Sequence, residues 1–142
     1  GMTYLDRVDT DWAFRIQLPV GSNVPFHCTA SGKAYLASLP VRRRTALVRA
    51  MTLNNLARNT IVDPDALLTE LDSVAQAGYA IDREEFMDDL VALAVPVLDE
   101  NGGFLAALAF HGPSARVDAE AVLVHLDLLR NGAQKLRGIL TD

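Results

Sequence analysis

With 142 residues, half of them apolar and 22% charged, the chain has the size and balance of one globular domain around one sizeable core. Its net charge of −5 argues against direct contact with nucleic acid, which asks for a basic face to displace phosphate counterions. The apolar runs Leu90 to Leu98 and Phe104 to Phe110 fall far short of the roughly 20 residues that cross a bilayer. Cys28 has no partner for an internal disulfide, and no basic stretch leading into an apolar run opens the chain, so a reducing cytoplasm is the expected setting. Gly1 ahead of Met2 reads as a remnant of an expression tag, which leaves residues 2–142 as the domain.

Tyr4 to Val8 and Trp12 to Leu18, split by Asp9-Thr10-Asp11, alternate partly and read as an opening β-hairpin. Pro19, Gly21, Ser22 and Pro25 make a turn-rich loop, after which a short helix is expected from about Gly32 to Ser38. Pro40 interrupts it, and Val41 to Met51 form a second helix on which Arg42, Arg43 and Arg44 are expected to be solvated rather than to bind phosphate. Residues Thr52 to Val62 give no clear period. Asp63-Pro64 is a strong helix start, and Leu67, Leu71, Val74 and Ala75 keep helical spacing up to Gly78, the expected C-cap.

Tyr79 to Ile81 predict a short strand, and the acidic stretch Asp82 to Asp89 a loop or single helical turn. Leu90 to Leu98 and Phe104 to Phe110 flank Asp99-Glu100-Asn101-Gly102-Gly103, whose residues tolerate positive φ, and so predict a central hairpin. Beyond a Gly112-Pro113 turn, Val122, Leu126, Leu129, Ala133, Leu136 and Leu140 mark one face of a closing helix. The order β-β-α-α-α-β-β-β-α implies an α+β fold with helices packed against an antiparallel sheet.

Signatures of catalysis are missing: there is no phosphate-binding glycine loop, nucleophile elbow, paired cysteine or two-histidine helical spacing. Cys28 and His27 are adjacent, and neighbours on a strand point to opposite faces, which leaves a small cysteine-dependent hydrolase as an alternative reading rather than the main one. A metal held by His27, His111 and Asp82 finds no support in their spacing, and no cofactor is expected. Thr29-Ala30-Ser31-Gly32-Lys33 is a small-residue turn opening a helix, and it admits two readings. Its free N–H groups can hold a carboxylate, or Thr29 or Ser31 is a plain N-cap with Gly32 easing a tight approach.

The segment Pro25 to Ala37, containing His27 and Thr29-Ala30-Ser31-Gly32-Lys33-Ala34-Tyr35-Leu36-Ala37, resembles the signature of the effector-binding domain of the IclR family of transcriptional regulators. It recurs with company in matching order: Gly78-Tyr79-Ala80-Ile81-Asp82 with Glu84-Glu85, then Ala94-Val95-Pro96-Val97 and Asp99, then Ala106-Ala107-Leu108 leading to Gly112-Pro113. The resemblance runs from about Tyr4 to Gly138.

It implies a GAF-like, profilin-like domain whose curved antiparallel sheet holds a small organic acid effector. Ser31 and Gly32 would supply N–H donors and Asp82 a polar wall, with Thr29 and Lys33 nearby. The winged helix-turn-helix that family members carry ahead of this domain is not in the chain, so DNA would be reached only through such a domain, in a homodimer or homotetramer. At Ala92 the family often has cysteine, and at Ala109 and His111 serine. These departures point away from glyoxylate-like effectors and toward a larger acid such as an aromatic carboxylate, with His111 as a cationic partner. A dimerisation module without ligand is the other alternative.

Overall fold

The computed structural model describes residues 1–3 and 23–141; the expected opening hairpin, Tyr4 to Val8 with Trp12 to Leu18, and the turn residues Pro19, Gly21 and Ser22 lie outside them. Strands β1 (Met2–Thr3) and β2 (Asn23–Val24) pair antiparallel. Helices α1 (Ala30–Ser38), α2 (Val41–Ala50) and α3 (Pro64–Ala77) follow, then strands β3 (Ala80–Arg83), β4 (Leu90–Leu98) and β5 (Phe104–Pro113), and finally α4 (Leu126–Thr141) behind a 3₁₀ turn at Ala121–His125. Among the described residues the main sheet has the order β3-β4-β5, antiparallel throughout.

Local sequence sets the ends of α3 and the turn of the main hairpin. In α3, Asp63 accepts the Ala66 N–H, Pro64 fills the first turn and Gly78 closes the helix at φ 79°, a conformation that costs a glycine least. Asp99 organises the β4–β5 connection by accepting the N–H groups of Asn101 and Gly103. Leu105 has no cross-strand partner, the mark of a bulge.

Alternation along β4 divides the core in two. Ala92 and Ala94 pack with Ala30, Ala34 and Leu36 of α1 and Leu67 and Leu71 of α3. Leu93, Val95 and Val97 turn the other way, toward Val122, Leu129 and Ala133. Helix α1 is therefore buried on several sides, sandwiched between sheet and α3, which explains its small residues.

Several boundaries differ from the sequence expectation. Strand β3 reaches Arg83, so Asp82 stands in the sheet rather than in a loop. Strand β5 continues through Gly112 to Pro113 because Leu90 and Val91 still pair with it; the chain turns only afterwards. Helix α1 begins at Ala30, two residues early, and the closing helix starts as 3₁₀. Arg44 is buried, not solvated: it bonds Asp72 and the carbonyls of Ala37 and Leu39 at the C-terminus of α1. His125 is half-buried and stacked on Phe110 with ring centroids 4.1 Å apart.

The aperiodic 52–62 segment is held by side chains instead of by a repeat. Thr60 Oγ1 accepts the Leu56 and Ala57 N–H groups and donates to Glu85 O. Asn59 donates through Nδ2 to Arg83 O, and His27 Nε2 lies 2.9 Å from Asn54 O.

Candidate functional site

Residues directly opposite on neighbouring antiparallel strands project to one face. The register pairs Asp82 with Ala92, and Ala92 with His111, so these three form one row across the sheet. In the next row Ala80, Ala94 and Ala109 stand opposite one another. Both rows lie on the α1 side, where Ala80, Ala92 and Ala94 pack with Ala30 and Ala34, and Ala109 lies against the same cluster. Four residues singled out from sequence, 29 positions apart at the extremes, are thus brought onto one patch of sheet.

The remaining three belong to the start of α1. Thr29 is the N-cap: its Oγ1 accepts the Gly32 N–H at 3.0 Å and donates to Pro25 O at 2.8 Å. Gly32 is needed for space. A Cβ there would sit 2.5 Å from Phe26 Cα and closer still to the Phe26 carbonyl. The capping reading of this turn is therefore realised in full, and the Gly32 N–H is engaged by it. The Ser31 N–H, at the second helical position, has no partner among the described residues.

Behind this surface lies a buried ionic cluster whose weight the sequence reading missed. Lys33, with no exposed side-chain surface, places Nζ 2.9 Å from both oxygens of Glu85, 2.7 Å from Glu70 Oε2 and 2.6 Å from Ile81 O. Glu85 also accepts the Arg83 N–H and gives its own N–H to Asp82 Oδ1. The turn of α1 and the Asp82 strand are thereby tied through one ammonium. A lysine set in an otherwise small and apolar helix was the available signal.

Asp82 is 1% exposed, and burial pushes its carboxyl up to about 7, assisted by the Glu85 charge and opposed by the Glu85 N–H and by Lys33. His111 is pushed down to about 4 by burial. In the unliganded chain that shift favours the neutral, hydrogen-bonding ring over the cationic partner expected from the sequence. Cys28 is fully buried, and burial followed by the charges of Asp82 and Glu85 raises its thiol to about 12. Such a thiol is protonated and a poor nucleophile.

A family model described as bacterial transcriptional regulator IclR, C-terminal, matches residues 1–137. The chain is 37% identical over 135 residues to the probable transcriptional regulator SauR of Cupriavidus necator, covering 95% of the chain and 54% of SauR. Among solved structures, the Thermotoga maritima IclR superposes with a TM-score of 0.89 at 28% identity, over 97% of this chain and 56% of that one. The inducer-binding domain of a PobR double mutant from Acinetobacter, in complex with 3-hydroxybenzoic acid, gives a TM-score of 0.79 at 33% identity, over 87% and 73% of the two chains. The chain spans about half the length of the curated relatives it matches.

Proposed function

The chain belongs to the IclR family of bacterial transcriptional regulators, as their C-terminal, GAF-like effector-binding domain, and from this premise we propose that it senses an aromatic carboxylate. The observation that carries the proposal is the Asp82–Ala92–His111 row beside Ala109 on the face under α1. Alanines at 92 and 109 keep the side chains of this face short. The Ser31 N–H, at the positive end of α1, is the donor suited to the carboxylate, with Thr29 and Gly32 building the turn that presents it. Asp82 and neutral His111 supply the polar wall. The likeness to a PobR domain holding a hydroxybenzoate supports this acid class for the present chain.

In the same reading, effector binding shifts the domain between two packings. A homodimer or homotetramer passes that shift to a winged helix-turn-helix that contacts DNA. The relatives are transcriptional regulators, and a buried, protonated Cys28 supports reading this domain as a sensor without catalysis.

Thermal denaturation against benzoate, 3-hydroxybenzoate, 4-hydroxybenzoate, glyoxylate and pyruvate tests the proposal. Aromatic acids should raise Tm in proportion to RT ln(1 + [L]/Kd), and Ala109→Leu should abolish the response in a folded protein. A response to none of the aromatic acids defeats the reading.

A further inference from the structure

The charge arrangement around Asp82 poses a problem for any anionic ligand, and its solution is specific. Lys33 from α1 is met by Glu85 from the β3–β4 connection and by Glu70 from α3, so among the described residues this cluster is already one charge negative. Cys28, ahead of α1, is protonated, and His111, across the row on β5, is neutral. An ionised Asp82 makes the surroundings doubly negative, and a docked carboxylate adds a third charge within a buried surface. Like charges held together in a poorly solvated site cannot all remain ionised, and one group takes a proton.

We propose that Asp82 is that group: an acid effector binds with uptake of one proton from solvent onto the Asp82 carboxyl, and the site accepts monocarboxylates while rejecting dicarboxylates. The proposal rests on the aromatic-acid reading above. The one covalent change is formation of an O–H bond on Asp82. The neutral acid then donates a hydrogen bond to the ligand carboxylate while Oδ1 keeps the Glu85 N–H. Glu85 is less suited to the role, since both its oxygens face Lys33 and one also accepts the Arg83 N–H. Burial, which pushes the unliganded Asp82 carboxyl up to about 7, favours such uptake.

Calorimetric titration of the chain with 3-hydroxybenzoate between pH 6 and 8.5, in buffers of different ionisation enthalpy, is the test. Kd should be flat near pH 6 and rise toward tenfold per pH unit above about 7, with proton uptake approaching one per ligand. Isophthalate should not bind at pH 8. Asp82→Asn should bind with a pH-independent Kd and no uptake. In the wild-type protein, ligand-induced infrared absorption of a protonated carboxyl reads the same event without a variant. Binding without proton uptake overturns the inference and leaves the aromatic-acid reading standing. Uptake that persists in Asp82→Asn and disappears in His111→Gln also overturns it. Absence of binding by 3-hydroxybenzoate, 4-hydroxybenzoate and benzoate throughout the pH range overturns both.

Discussion

The Lys33 ammonium lies 2.9 Å from both carboxylate oxygens of Glu85, with the lysine side chain wholly buried and the glutamate 5% exposed. The pair joins α1 to the connection after β3, two segments 52 residues apart in sequence. Removing the sole partner of a buried charge costs about 3–5 kcal/mol. Glu85→Gln leaves Lys33 paired with Glu70 at 2.7 Å, so it should destabilise the domain by less than that range. Urea unfolding gives the value. In a cycle with Lys33→Met the double variant should be more stable than the sum of the single losses implies.

Gly32 and Gly138 are both helical glycines, and they should respond oppositely to alanine. At Gly32 the added methyl meets the backbone of Phe26 and crowds Thr29 Oγ1 at 2.6 Å, atoms that cannot step aside without opening the cap. Gly32→Ala should lose about 1–3 kcal/mol or more. At Gly138 nothing lies within 4 Å, and alanine should stabilise α4 by about 0.5–1 kcal/mol. Paired thermal melts decide both signs.

Cys28 combines full burial with a thiol raised to about 12. Alkylation at pH 8 should be slow in the native protein and fast in urea, tracking the unfolded fraction. Rapid native labelling accompanied by ester turnover would instead favour the hydrolase alternative.

The best-marked elements in the sequence were those punctuated locally. Asp63, Pro64 and Gly78 bound α3 by chemistry within one turn of each end, and Asp99 to Gly103 specify their hairpin the same way. The site was legible in part, because the small-residue turn at Thr29 to Lys33 has a recognisable composition. What stayed hidden depends on distant partners. Asp82 belongs to a strand only because Ala92 pairs with it, and Arg44 is buried only because the end of α1 lies over it. The 52–62 segment takes its shape from bonds to residues 83 to 85, which no local period encodes.

Asp82 and His111, opposite ends of one cross-strand row, should make opposing contributions to the pH dependence of stability. The Asp82 carboxyl rises from 3.8 unfolded to about 7 folded, so between these values the native state holds the extra proton. Its contribution is fully present below 3.8 and is lost as pH rises through 7. His111 falls from 6.5 to about 4, so the unfolded state holds the extra proton there. Its contribution is present above 6.5 and is lost as pH falls through 4. Between about pH 4 and 6.5 the two slopes nearly cancel, and the wild-type stability curve should be flat with respect to this pair. Asp82→Asn should unmask a rise in stability over that window and be more stable than wild type at pH 8. His111→Gln should unmask a fall continuing to about pH 7. Urea midpoints measured from pH 4 to 8 for the three proteins read all of these slopes, and parallel curves would show that neither burial perturbs its group in the folded chain.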